Sequence, residues 1–227
     1  MDTLIDTRPA LVDSHPAKLP ERVCLEGRAS AIQPLDPDTH GEALWRGLGG
    51  AGNAGLWGFM HYGPFAQRAA FDEYLREREE SQDPLCYAIV DAVSGEATGL
   101  CTLMRITPRD RVIEVGGLVF STALQRTRAA TEAMYLLARY AFEDLGNRRY
   151  EWKCNASNEA SRRAALRLGF VYEGTFRQHQ IVKGRNRDTA WFSMLDSEWP
   201  ARKSEFERWL DEGNFDAGGR QRTALGR

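Results

Sequence analysis

No stretch of this 227-residue chain approaches the roughly twenty consecutive apolar residues that a membrane-spanning helix needs, so no membrane partner is expected. Charge of one sign is also missing. Thirty Lys and Arg stand against 32 Asp and Glu, a net charge of −2, which gives no overall electrostatic case for nucleic acid. Cysteine is sparse: Cys24, Cys86, Cys101 and Cys154 are far apart, with no C-x-x-C and no His at ligand spacing. That excludes a disulfide scaffold and leaves no metal site to expect. Each cysteine sits in an apolar, strand-like context and is expected as a buried, reduced thiol. An apolar leader is lacking too, because MDTLIDTRPALVDSHPAK places acids and prolines where one would run; a cytoplasmic location is expected.

Several familiar motifs fail on context. His15, His40, His61 and His179 have no Ser, Cys or acid at a nucleophilic-triad spacing, and no Walker sequence occurs. G-x-G-x-x-G appears twice, as Gly47-Gly49-Gly52 and Gly50-Gly52-Gly55. A dinucleotide fingerprint must follow a strand and open a helix, whereas this one follows a helix and runs into aromatics, so a flexible loop is expected. Asn155-Ala156-Ser157 matches a glycosylation acceptor, which carries no meaning without a secretory leader.

What is present is ordinary for one globular domain, with 42% hydrophobic and 27% charged residues. Residues 1–22 read as an arm, partly disordered. A strand is expected over 23–35, then a short helix capped by Asp38 or Thr39 and running to Leu48. After the glycine-rich loop and the aromatic run LWGFMHYGPF, residues 66–81 read as an amphipathic helix. Strands follow at 85–93, 97–106 and 111–121, with Gly116-Gly117 marking a bulge or a close backbone approach. The clearest helix is 127–145, where Ala130, Ala133, Met134, Leu137 and Ala141 recur at helical spacing before Gly146. A strand at 149–155 leads to a helix from Ser157 or Asn158 to Leu168, stopped by Gly169 with Phe170 as its hydrophobic contact. Two strands, 170–183 and 187–196, are joined by a turn at Gly184-Arg185-Asn186. A terminal helix, 199–212, and a polar tail complete a mixed α/β fold of about seven strands. The domain is placed at 23–198, with 199–227 as C-terminal helix and tail.

Chemistry concentrates where the β segment 111–121 runs into Gln125-Arg126-Thr127-Arg128-Ala129-Ala130-Thr131 and the long helix. Successive N–H groups at a helix N-terminus favour an anion, small side chains let phosphate approach, and two arginines add charge; a solvated helix start explains the same residues without a ligand. Further on, Asn158 and Ser161 open the next helix, either toward a ligand between the two strands or as caps alone.

Taken in order, these pieces resemble the GNAT acetyltransferase superfamily. Its pyrophosphate loop, Q/R-x-x-G-x-G/A, is matched by Gln125 to Ala130, its N-x-x-S by Asn158 and Ser161, and its G-F-x-x-E-G by Gly169 to Gly174. With YAFEDLGNRR at 140–149, the chain looks most like the branch of the RimJ and RimL ribosomal-protein acetyltransferases, over roughly residues 23–197. Arg128 stands where the family loop has glycine, so it either points outward or meets phosphate itself. The resemblance implies an acyl-CoA co-substrate, most simply acetyl-CoA, no metal, and transfer to a primary amine of a protein N-terminus, a lysine or a small molecule.

It also implies site residues. The backbone N–H near Val119 or Phe120 would polarise the thioester carbonyl, and Gln125 to Thr131 with Asn158 and Ser161 would hold the coenzyme. Glu114 takes the place of the family's base, unless it is a surface strand carboxylate or one that only fixes a neighbouring arginine. The family's tyrosine acid is replaced by Ala165, leaving Tyr172 as a substitute or bulk water to protonate the thiolate. The acceptor side is assigned to Trp57, Met60, Tyr62 and Phe65, facing a final hairpin with Arg177, His179, Lys183, Arg185, Arg187 and Asp188. That cationic cluster suits an acidic substrate or a carboxylated acyl group such as succinyl. A succinyl-CoA-using enzyme and a non-catalytic CoA-binding sensor remain as alternatives, and a homodimer is left open.

Overall fold

A computed structural model describes residues 12–226. Its centre is one eight-stranded sheet in the order β1-β2-β3-β4-β5-β6-β8-β7. The strands are β1 (Leu25–Glu26), β2 (Ser30–Pro34), β3 (Leu85–Asp91), β4 (Ala97–Thr107), β5 (Val112–Phe120), β6 (Arg149–Asn155), β7 (Val171–Val182) and β8 (Arg185–Leu195). All neighbours are antiparallel except β5 and β6. The expected first strand is two, because the chain turns between Glu26 and Ser30. There Gly27 lies against Glu132, whose carboxylate accepts the N–H groups of Arg28, Ala29 and Ser30 at 3.0, 2.6 and 2.8 Å.

Alternation on β3 separates two cores. Leu85, Tyr87 and Ile89 face the larger one, built with α3 (Arg128–Arg139), α4 (Glu159–Arg167) and α5 (Trp199–Leu210). Cys86, Ala88 and Val90 face a second, under α1 (Pro37–Leu48) and α2 (Arg68–Glu80). A strand between two apolar layers is buried on both sides, which is why β3 reads as a continuous apolar run. Helix α3 is buried from Ala129 to Ala138, more than its one-face periodicity suggests. Helix α5 covers its outer side: Tyr135 stacks near Trp199, with centroids 6.1 Å apart, and donates its hydroxyl to Glu207 at 2.9 Å. The C-terminal helix is therefore part of the core.

Caps and stops differ from expectation in detail. Asp36, not Asp38 or Thr39, caps α1 by accepting their N–H groups. Residues 140–144 close α3 as a π turn. Asn158 caps α4 and Gly169, with φ +91°, ends it; Phe170 N–H then reaches back to the Ala165 carbonyl at 3.0 Å. The β7–β8 turn is centred on Lys183 and Gly184, whose φ values of +50° and +71° make it a tight hairpin one residue earlier than expected. The glycine-rich segment is ordered, as a 3-10 turn over Ala51–Trp57 fastened by the Asn53 amide to the Gly49 carbonyl at 2.7 Å. Of the arm, 12–22 is described and runs along the body: Ala17 and Lys18 N–H groups donate to the Pro108 and Leu145 carbonyls. The expected disorder falls otherwise on residues 1–11, outside the described part. Cys86, Cys101 and Cys154 are buried free thiols, but Cys24 is exposed just before β1.

Candidate active site

Strands β5 and β6 pair only from Val112↔Arg149 to Val115↔Trp152, although β5 continues to Phe120 and β6 to Asn155. Beyond that point they diverge. A β-bulge sits at the fork, where Leu100 faces Val119 and Thr102 faces Gly116, so β5 carries one more residue than β4. Gly117 supplies the bulge with φ +58°, and a Cβ there would lie 2.7 Å from Thr102 Cγ2. Gly117 is thus required by both backbone angle and space.

The fork opens a cleft of about 1340 Å³ that passes through the sheet. Trp152 and Cys154 line it and also belong to the α3-side core, whereas the alternating Lys153 enters it from the other face. At the α3 end are Gln125, Arg126, Thr127, Arg128, Ala130 and Thr131. Arg126 takes the left-handed turn at φ +63°, and Thr127 caps α3 through Oγ1, which accepts Ala130 N–H at 3.1 Å. Asn158 and Ser161 line the adjoining wall. They are also committed locally: Asn158 Oδ1 accepts Ser161 N–H at 3.1 Å, and Ser161 Oγ accepts the Trp152 indole N–H at 3.0 Å.

At the other end lies Glu114, 5% exposed, with Val119 and Phe120 also on the wall. Register puts Glu114 directly across from Glu151, a pairing that repels unless a cation intervenes. Lys153 is that cation. Its ammonium lies 2.9 Å from Glu114 Oε2, 2.6 Å from Glu151 Oε2 and 3.7 Å from the Trp191 ring centroid. Arg105 Nε approaches Glu114 Oε2 at 3.4 Å. Burial pushes the Glu114 carboxyl above the ordinary glutamate value, against the lowering pull of Lys153 and Arg105. For Glu151, burial also pushes up, but hydrogen bonds from Lys153 and Arg149 outweigh it and the value falls.

The aromatic segment and the hairpin face one another as expected. Gln180 Oε1 lies 3.2 Å from His61 Nε2, and the Lys183 ammonium donates to the Trp57 carbonyl at 2.9 Å. Met60, His61, Tyr62, His179 and Arg187 line this end. Burial, then the neighbouring Arg187, hold His61 below its ordinary value.

Several expected site residues lie elsewhere. Trp57 is fully buried in the α1–α2 core and donates its indole N–H to the Leu48 carbonyl at 2.8 Å. Phe65 packs on Trp57 and Tyr74, each at 4.9 Å. Both are core rather than acceptor wall. Tyr172 points from β7 to solvent, sharing a hydrogen bond with Thr175 Oγ1 at 2.8 Å, and is not on the cleft. Arg177 is exposed, outside the cleft. Asp188 fixes the hairpin by accepting the Gln178 N–H at 2.7 Å and the Asn186 amide at 2.9 Å. Ala129 is buried behind the loop. Arg128 stays on the cleft wall but is turned away from the loop toward the C-terminal segment: its guanidinium donates to the Leu210 carbonyl and lies over Phe215, 4.9 Å from the ring centroid. Sequence reasoning missed Lys153, Arg105, Arg78 and Thr102, all lining the cleft. Only Lys153 had a readable signal, alternating with Arg149 and Glu151 on one side of a strand whose other side carries Tyr150, Trp152 and Cys154.

With this geometry in view, residues 52–171 match the acetyltransferase (GNAT) domain. The chain belongs to the GNAT acetyltransferase family. A GCN5-related N-acetyltransferase from Brucella melitensis is 45% identical with a TM-score of 0.91, over 93% of this chain and 96% of that one. A probable acetyltransferase of the GNAT family from Chromobacterium violaceum is 41% identical, TM-score 0.79, over 87% and 98%. The "Putative ribosomal N-acetyltransferase YdaF" of Bacillus subtilis is 30% identical over 109 residues, 48% of this chain. The matched stretch spans 59% of YdaF, and that relative agrees with the RimJ/RimL-like branch. The expected GNAT fold and family are borne out, with eight strands rather than seven. No helix among the described residues is long and apolar enough to cross a membrane.

Proposed function

We propose that this protein is an acyl-CoA-dependent N-acyltransferase, acetyl-CoA being its simplest donor, that moves the acyl group to a primary amine by direct attack. The observation that carries the reading is the fork between β5 and β6: it joins a helix-start anion site to a buried carboxylate through one cleft. The residues fit an extended anionic ligand. Gly116 and Gly117 leave the wall bare where a Cβ would collide with Met104 or Thr102. Arg126 and Thr127 stand at the N-terminus of α3, where helix polarity favours phosphate.

In this reading the coenzyme supplies an activated acyl thioester. Backbone N–H groups near Val119 and Phe120, on the strand edge that β6 leaves, orient its carbonyl. Glu114 Oε2 takes one proton of the incoming ammonium, the amine nitrogen bonds to the acyl carbon, and the carbon–sulfur bond breaks; the second proton shed by that nitrogen passes through water to the departing thiolate, and Glu114 returns its own proton to solvent. A raised carboxyl is better matched to that proton than an ordinary glutamate, which is the advantage of burying Glu114. Lys153 is a positioning residue: it keeps Glu114 from being pushed so far up that it stays protonated.

The acceptor is an amine of a protein N-terminus, a lysine or a small molecule. Lys153 is already matched by Glu114 and Glu151, but Arg78, Arg105 and Arg187 also line this end, which favours an anionic group on the acceptor or on the acyl chain, as in succinyl-CoA. Titration calorimetry with acetyl-CoA and succinyl-CoA tests the reading. Saturable binding of one or both, with thiol release on adding amines, is expected; binding of neither overturns it, and binding without turnover leaves a sensor.

A further inference from the structure

The family match ends at residue 171, yet the far end of the cleft is walled by Trp209, Phe215, Arg220 and Gln221. These belong to α5 and the segment after it, which is built rather than loose. The Asn214 amide donates to the Trp209 and Thr223 carbonyls at 2.9 and 3.2 Å. The Trp209 indole donates to Gln221 Oε1 at 2.8 Å, and Leu225 is buried. Two arginines of the coenzyme side hold it. Arg128 lies over Phe215 and donates to the Leu210 carbonyl, while Arg167 lies 5.0 Å from the Trp209 ring and donates to Thr131 Oγ1 at 3.2 Å. The departure of the phosphate loop from glycine to Arg128 is thus a fastening for the C-terminal segment.

The charge at this end is not balanced. Arg126, Arg128, Arg167 and Arg220 all line the cleft, and among the described residues none of them forms an ion pair. No Asp or Glu lines the cleft except Glu114, at the other end. Arg128 Nε is moreover buried with no hydrogen-bond partner. Asp216 in the same segment is spent on backbone, accepting the Gly218 and Arg220 N–H groups at 2.9 Å. Four cations with no ion-pair partner, beside two aromatic rings, suit a ligand carrying both phosphate and a flat base. Resting on the acyl-CoA reading above, the direction of the coenzyme is fixed: thioester at the fork, pyrophosphate at Arg126 to Thr131, and adenosine beyond them, toward the C-terminal segment.

We propose that the C-terminal segment 211–226 forms a nucleotide subsite, in which Arg220 binds the 3′-phosphate of the coenzyme's adenosine and Phe215 packs on its adenine. The chain thereby selects coenzyme A over 3′-dephospho-coenzyme A. Calorimetry on the full chain with CoA and 3′-dephospho-CoA reads this. Wild type is expected to bind CoA tighter by about tenfold, the scale of one charge-assisted hydrogen bond. Arg220→Ala should bring the ratio to near one by weakening CoA alone, with thermal unfolding of the free protein unchanged. Phe215→Ala should weaken both ligands. Equal affinity of wild type for the two, or a ratio that survives in Arg220→Ala, overturns the subsite while leaving the acyl-CoA reading intact. Failure of wild type to bind either ligand overturns that reading instead.

Discussion

At the residue scale the cleft turns on one buried exchange of charge. Glu114 and Glu151 are register partners on neighbouring strands, and Lys153 stands between them. Leaving either carboxylate in an apolar sheet without that ammonium would be costly, so the three act together. Two predictions follow the sign of each influence. Glu114→Gln removes the proton acceptor and should lower kcat by about 10²- to 10⁴-fold, the usual range for general-base catalysis, with little change in acetyl-CoA affinity by calorimetry. Unchanged turnover across pH would remove Glu114 from the mechanism. Lys153→Met removes the influence that lowers the Glu114 carboxyl while burial continues to raise it. The acidic limb of the kcat profile should therefore move to higher pH. A uniform loss at every pH would mean that Lys153 serves folding alone.

At the scale of elements, legibility depended on whether a feature was local. The Asn158 cap, the Gly169 stop and the periodicity of α3 were readable because capping and helical spacing act within a few residues. Gly116-Gly117 was readable as a bulge for the same reason. Trp57, Phe65 and Tyr172 were not. An aromatic run reads alike as core or as binding wall, and only the packing of α1 and α2 sends Trp57 inward. The partnership of Lys153 with Glu114 needed the register between β5 and β6, which no local pattern carries. The bulge itself can be tested against a matched control. Gly95 and Gly117 both have positive φ, but a Cβ at Gly95 meets nothing within 4 Å, whereas at Gly117 it meets Thr102. Gly95→Ala should cost only the left-handed strain, about 1–2 kcal/mol by chemical denaturation. Gly117→Ala should cost more and should also weaken acyl-CoA binding. Equal costs would mean that β4 yields freely at the fork.

At the scale of the molecule, the sheet is two halves joined through the short β5–β6 pairing, and its far edge depends on polar ties as well as packing. Strand β7 is last in the order, bonded only to β8. Glu173 reaches across from it: its carboxylate accepts both terminal nitrogens of Arg149 on β6, at 2.7 and 2.6 Å, and the Ser193 hydroxyl on β8 at 2.6 Å. One acid thus spans three strands, and it is the glutamate of the G-F-x-x-E-G stretch. Its hydrogen bonds from Arg149, assisted by Ser193, lower its pKa from an ordinary 4.5 to about 2. A carboxyl lowered in the folded state contributes stability that is complete above the unfolded value and fades as pH falls through the folded one. The contribution of this tie should therefore be full at neutral pH and be lost between about pH 4.5 and pH 2. Because Glu173 is 39% exposed, solvent screens the pair and the effect should be modest and salt-sensitive. Glu173→Gln should lower the midpoint of denaturant unfolding at pH 7 and flatten its fall across that acid window. A variant whose midpoint falls with acid in parallel with wild type would show that β7 is held by packing on β8 alone.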